Sequence, residues 1–255
     1  MGILNLAPDS FYDGKKYTTP LLLEEKLKTF THSDIIDVGA ESTRPFSNSI
    51  SVEKEIERLS VFMNLKDRID KPLSIDSYKY DVIKYALDNN FHIINDISGG
   101  GKKDCNISLA AEYNVPIIIM HMQGNPRTMQ KKPVYNNLID EILSFFESKI
   151  TVMKEEFDLS DKQIILDPGI GFGKTKQDNY SIIDNIDKFK ALGFPILIGL
   201  SRKSFLSIDE NKPKDRKMAS LQMQSIALYN GADCIRTHDS PDTYETLRII
   251  DRFKK

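Results

Sequence analysis

Asn5, Asp37, Asp76, Asn95, His121, Asp167, Lys203, Arg236 and His238 recur at one kind of place in this chain, at or just past the end of a short apolar run. Carboxylates only accept hydrogen bonds, lysine and arginine only donate, and asparagine and histidine do both. Such a set can read a flat heterocycle on one wall and hold an anion on another. Singly, each has a bland explanation: a strand-end aspartate often caps the next helix, and a lone histidine is usually satisfied in the core. Nine polar residues at matched positions are harder to explain that way.

The densest of these places is 164–174, IILDPGIGFGK. Ile164, Ile165 and Leu166 have no polar face, as in a strand covered on both sides, and Asp167 stands at its carboxyl end. Gly169, Gly171 and Gly173 then alternate with Ile170 and Phe172, which lets the backbone come close to a ligand. The phosphate-cradling motif needs glycine where Pro168 stands, and the dinucleotide fingerprint needs one at Lys174, so both fail by one residue. Taken alone, the loop is equally a tight strand-to-helix turn.

The elements that must position these side chains repeat along the chain. Apolar runs at 1–5, 34–39, 72–76, 93–94, 116–121, 164–166, 195–199 and 233–238 are each followed by a polar loop and a segment of helical period. Helical stripes run through Leu23, Leu27 and Phe30, through Val82, Ala86 and Leu87, and through Leu138, Ile142, Phe146, Ile150 and Met153. Thr19-Pro20 and Ser240-Pro241 read as helix starts. Eight such units predict an α/β fold, a single closed (β/α)8 barrel occupying 1–255 as one domain, with every strand end at one mouth. The loops after strands 1 and 2, residues 7–16 and 40–49, are polar with little apolar content to hold them down, and are expected to be mobile.

The 255 residues are 40% hydrophobic and 28% charged, enough for a large core; 35 basic against 37 acidic side chains give no basis for a nucleic-acid or acidic-membrane partner. Cys105 and Cys234 have no metal-type spacing, and Cys234 is expected to face the core. No apolar run approaches the roughly 18 residues of a spanning helix and no leader precedes the first strand, so a cytoplasmic location is expected.

In order, and across essentially the whole chain, MGILNLAPDSFYDG, DVGAESTRP, SIDS, INDISGG, MHMQGNPRTMQ, ILDPGIGFGK, LSRKSF and IRTH resemble the dihydropteroate synthase family. The resemblance implies a TIM barrel and a transferase of folate biosynthesis. Members of that family condense 7,8-dihydropterin-6-ylmethyl diphosphate with 4-aminobenzoate by a dissociative substitution with Mg²⁺ as cofactor, and the resemblance implies the same here. It implies a pterin pocket of Asp76, Asn95, Asp167 and Lys203. Asn5, Arg44, Arg236, Thr237 and His238 fall at the diphosphate, with Asn5 also the metal ligand. Ser10, Phe11, Thr43, Pro45, Phe172, Lys203 and Ser204 fall around the aminobenzoate. On the same resemblance Lys203, Arg236, His238 and Asp76 are the catalytic set, the protein forms a homodimer, and sulfonamides bind once Mg²⁺ and pyrophosphate are in place. Ala7, Ala40 and Lys15 depart from the family's usual threonine, glycine and glycine, which bears on how the first two loops close.

Two other readings stay open. A pterin-barrel methyltransferase could share Asp76, Asn95 and Asp167 but has little use for the diphosphate residues. A non-catalytic pterin-binding module could keep the pocket without turnover. Pyrophosphate release separates all three.

Overall fold

Each apolar run becomes a short parallel strand: β1 (Gly2–Asn5), β2 (Ile36–Gly39), β3 (Leu73–Asp76), β4 (Ile93–Asp96), β5 (Ile117–Met120), β6 (Ile164–Asp167), β7 (Leu197–Ile198) and β8 (Cys234–Ile235). The structure, a computed structural model, describes residues 1–7, 20–42, 49–126, 128–130, 132–207 and 216–253. Strands β1 to β6 pair in sequence order and β7 pairs with β8. Single bridges, Leu166 with Ile196 and Gly2 with Thr237, join the two sheets at both edges and close the ring. Ile3 N donates to Thr237 O at 2.9 Å and Thr237 N donates to Met1 O at 3.0 Å across the second seam. The expected (β/α)8 barrel is the observed one.

Strands β7 and β8 are shorter than their apolar runs. The Ile196 amide donates to the Asp233 carboxylate at 2.7 Å instead of to a neighbouring strand. The amides of Asp233 and Cys234 both converge on Ile196 O. That side-chain substitution thins the ladder to two regular rungs there.

The helices that cover the barrel are α1 (Pro20–Lys28), α2 (Val52–Met63), α3 (Tyr80–Asp88), α4 (Cys105–Glu112), α5 (Leu138–Thr151), α6 (Lys176–Asp184), α7 (Ile186–Lys190), α8 (Lys217–Tyr229) and α9 (Ser240–Ile250). Leu23 and Phe30, then Val82, Ala86 and Leu87, are buried against the strands as their spacing predicts. On α5 the buried stripe is Ile139, Ile142 and Phe146, with Leu138 and Ile150 only half-buried, and the helix continues into a π turn over Val152–Glu156 that carries Met153 inward. The unit after β6 breaks at Asn185 into α6 and α7. Helix α9 is capped at Asp239, one residue earlier than Ser240-Pro241 suggests, so Pro241 falls in the first turn, where its missing N–H costs nothing. Thr19 lies outside the described residues. No helix among the described residues is long and apolar enough to cross a membrane.

Inside the barrel, alternate strand residues point to the axis. Met1, Ile93, Ile118 and Leu197 form a lower apolar plug, with Ile35, Ile165 and Cys234 packed against it. Two residues beyond Ile35, Ile93, Ile165 and Cys234 the inward positions are Asp37, Asn95, Asp167 and Arg236. The period of two therefore puts an oily floor directly under a charged layer. Cys234 belongs to the floor, as expected, and burial pushes its thiol pKa up.

Candidate active site

Arg236 organises the charged layer. Its Nε donates to Asp37 Oδ2 at 2.6 Å and its Nη2 donates to Asp76 Oδ2, so one guanidinium spans β2 and β3 from β8. The same Asp37 oxygen accepts from Asn95 Nδ2 at 3.0 Å. Asp37 Oδ1 and Asp76 Oδ1 are buried without a protein partner. Burial first, opposed by Arg236 and reinforced by Asp37 and Glu55, raises the Asp76 carboxyl to about 7. Arg236 itself is held firmly cationic, because Asp37 and Asp76 outweigh its own burial.

The opposite wall is built by the glycine loop after β6. Gly169 N donates to Asp167 Oδ1 at 2.7 Å, turning the chain sharply at Asp167. Gly169 has φ +70°, and a Cβ there would stand 2.0 Å from His121 O, so only glycine fits. Gly171, φ +78°, lets the Lys203 stem pass where a Cβ would be 2.9 Å from its Cδ. Lys203 Nζ donates to Ile170 O and sits 4.4 Å from the centroid of the Phe172 ring. Burial lowers the Lys203 ammonium to about 8, with Asp167 pulling the other way. Asp167 is raised by burial against the counter-pull of the Gly169 amide and Lys203. The site thus gathers three carboxylates, Asp37, Asp76 and Asp167, and two cations, Arg236 and Lys203.

His238 stands two residues beyond Arg236, past the end of β8. Its Nδ1 lies 3.1 Å from Ser201 Oγ and its amide donates to the same oxygen at 3.2 Å, so the loop after β7 fixes the imidazole. Asn5 ends β1 half-buried, with Oδ1 accepting from the Ala7 amide at 2.9 Å. Ser204 is exposed and begins a single 3₁₀ turn over Ser204–Leu206. The methyl groups of Ala7 and Ala40 are buried, so those two departures from the family pattern add to the packing at the feet of the first two loops. Lys15 lies outside the described residues, as do Ser10, Phe11, Thr43, Arg44 and Pro45.

The flanks of segment 43–48 are anchored to the β3–α3 connection. Lys79 Nζ donates to Glu41, to Glu55 at 2.7 Å and to Ile50 O at 2.7 Å. Tyr78 donates to Glu41 at 3.0 Å and pairs with Ser49 at 3.0 Å.

Two expected mouth residues are elsewhere. His121 is buried, with Nδ1 3.0 Å from Lys174 Nζ, and its ring meets Phe145 edge-on at 5.1 Å. Lys174 also donates to His121 O at 3.2 Å and Phe172 O at 3.0 Å, which ties the glycine loop to β5 from behind. Burial lowers His121 to about 3 and Lys174 to about 7. The Thr237 hydroxyl is turned away from the mouth: it accepts from Asp239 N at 3.1 Å and from Thr243 Oγ1 at 3.0 Å, between α8 and α9. The strand alternation that points Arg236 inward points Thr237 out, so its side chain is not at the diphosphate wall. Asp37 and Ser201 were missed as supports; Asp37 was visible as a strand-end carboxylate, whereas nothing in LSRKSF marks which serine faces His238.

The family described as pterin binding enzyme matches residues 1–238. The dihydropteroate synthase of Synechocystis is 37% identical over 256 residues, 98% of this chain and 88% of that one. The crystal structure of Yersinia pestis dihydropteroate synthase with a sulfonamide drug complex superposes with a TM-score of 0.93 at 34% identity, covering 100% of this chain and 93% of that one. The Clostridium difficile enzyme, crystallised in the presence of pteroic acid, superposes with a TM-score of 0.88 at 33% identity over 99% of this chain and 95% of that one. With a barrel that gathers Asp76, Asn95, Asp167 and Arg236 at one end of its interior, and with likeness of that extent, the chain belongs to the pterin binding enzyme family.

Proposed function

We infer that the chain catalyses the dihydropteroate synthase reaction: it joins 7,8-dihydropterin-6-ylmethyl diphosphate to 4-aminobenzoate, forming 7,8-dihydropteroate and pyrophosphate, as one barrel domain over 1–255. The observation that carries this reading is the bridging of Asp37 and Asp76 by Arg236, which puts an anion-binding group and a pterin-reading carboxylate in contact. Asp76 and Asp167 accept from the N–H edge of the pterin, Asn95 accepts and donates beside them, and Lys203 closes the pocket over Phe172. Arg236 and His238 meet the diphosphate. Because the amine is a weak nucleophile, the C–O bond breaks first, the pterin ring spreads the positive charge, and the growing negative charge on the departing diphosphate meets Arg236 and His238. No side-chain nucleophile takes part.

Asn5 fits a magnesium ion carried by the diphosphate. Its Oδ1 is fixed by one hydrogen bond from Ala7 N and keeps a second lone pair, the neutral oxygen donor this hard cation accepts. When bound, Mg²⁺ neutralises part of the leaving-group charge. Ser10, Phe11, Thr43, Pro45, Phe172, Lys203 and Ser204 surround the aminobenzoate and its sulfonamide mimics, and Arg44 joins the diphosphate side. A homodimer and a cytoplasmic location complete the reading.

The test is pyrophosphate release. With both substrates and Mg²⁺ present, release should be continuous and should stop when 4-aminobenzoate is omitted; no release under any combination would leave a binding module, and methyl transfer from a methylated folate would move the chain to the other enzymatic reading.

A further inference from the structure

Asp37 is the most completely buried charge of the site, and the reading above, on which this inference rests, gives it no task beyond its contact with Arg236. It lies two residues deeper than Asp76 along the ladder: its register partner on β3 is Ser74, whereas Asp76 pairs with Gly39 on β2. With 0% of its side chain exposed it has no surface to offer a substrate. Its Oδ2 nevertheless accepts from Arg236 Nε at 2.6 Å and from Asn95 Nδ2 at 3.0 Å, one group from each wall.

The chemistry of that oxygen fixes both neighbours. An ionised carboxylate only accepts, so the nitrogen of the Asn95 amide must face it and the amide oxygen must face away. Arg236 is a planar fork; with Nε on Asp37 and Nη2 on Asp76, its plane is set by two carboxylates and cannot rotate about the side-chain axis without breaking a charge-assisted bond. We propose that Asp37 is a positioning residue of the reaction, which from beneath the substrates fixes Arg236 for the diphosphate and turns the Asn95 amide so that its oxygen is offered to the pterin.

The unaltered chain is assayed first for pyrophosphate release, so that failure of the reaction itself is seen separately. Asp37→Asn keeps the shape but removes the charge and the acceptor-only character. Its affinity for 6-hydroxymethylpterin, which lacks the diphosphate, and its kcat for the diphosphate substrate should each fall on the order of tenfold to a hundredfold. The cycles distinguish positioning from general damage. In an Asn95→Ala background Asp37→Asn should no longer change pterin affinity, and in an Arg236→Ala background it should no longer change kcat. Undiminished effects in both backgrounds, or no effect in the parent, would overturn the proposal. If Asp37→Asn does not fold, the intact protein gives the answer by NMR: the Arg236 Nε–H should resonate downfield and exchange slowly. A resonance exchanging like that of a solvated arginine would equally overturn it.

Discussion

The lower and upper halves of the barrel interior do opposite things, although Ile35, Ile93, Ile165 and Cys234 of the lower half stand only two residues before Asp37, Asn95, Asp167 and Arg236 of the upper. Below, Met1, Ile93, Ile118 and Leu197 make a floor without a polar side chain among them. Above, Asp37, Asn95, Asp167 and Arg236 make a layer in which each charge is bonded to another or to a backbone group. The difference teaches where the energy of the fold resides and where it is withheld. The floor gains from burial alone. The layer above carries the cost of desolvation, visible as Asp76 raised to about 7 and Lys203 lowered to about 8, and keeps buried acceptors without a protein partner. Substitutions should therefore damage catalysis from above and stability from below.

The largest effect should come from Arg236→Ala. It removes the cation facing the leaving group and leaves Asp37 and Asp76 side by side, so kcat should fall about 10²- to 10³-fold along with weaker diphosphate binding. Steady-state kinetics showing only a higher KM would reduce Arg236 to a tether. Next is Asp167→Asn, which points an amide N–H at the N–H edge of the pterin. A loss of about 1–3 kcal/mol of pterin affinity is expected by calorimetry, with the melting temperature little changed. Unaltered affinity in the folded variant would take Asp167 out of the pocket.

In the floor, Ile118→Val deletes one methyl group from the plug. Chemical denaturation should show about 0.5–1.5 kcal/mol lost, while kcat and both KM values stay put. A change in pterin KM of the same energy would mean that the two halves are not separable. The smallest effect is on pH dependence. The folded Asp76 carboxyl, at about 7 against an ordinary 3.8, holds a proton that the unfolded chain has released. Its contribution to stability is therefore full below about 4 and is lost as pH rises through about 7. Asp76→Asn should flatten the decline in melting temperature across that window in the ligand-free protein; an unchanged slope would assign the decline to other groups.

Much of this division was legible in the chain. The eight units follow from apolar runs alternating with helical stripes, and the mouth follows from polar residues at the strand ends. What was not legible is depth and direction past the strand. Asp37 and Asp76 look alike in DVG and SIDS, yet one lies a layer below the other because β2 continues two residues further, to Gly39, before it reaches the Asp76 level. Lys174 and Lys203 both follow turns, but Lys174 folds behind its loop onto His121 and Lys203 crosses in front of it over Phe172. The positive φ angles of Gly169, Gly171 and Gly173 turn Lys174 behind its loop and leave room for the Lys203 stem, and those angles depend on the packing of the whole loop. Thr237 could have been read correctly from strand alternation alone, since it lies between two residues assigned to the same face.

The central claim is that the charged layer drives the reaction by stabilising the departing diphosphate, before the amine forms its bond. Single-turnover pyrophosphate release, measured with a series of ring-substituted arylamines of graded basicity at saturating concentration, tests it most directly. A rate nearly independent of amine basicity is the predicted result; a rate that climbs steeply with basicity would show that nucleophilic attack limits bond breaking and would contradict the account.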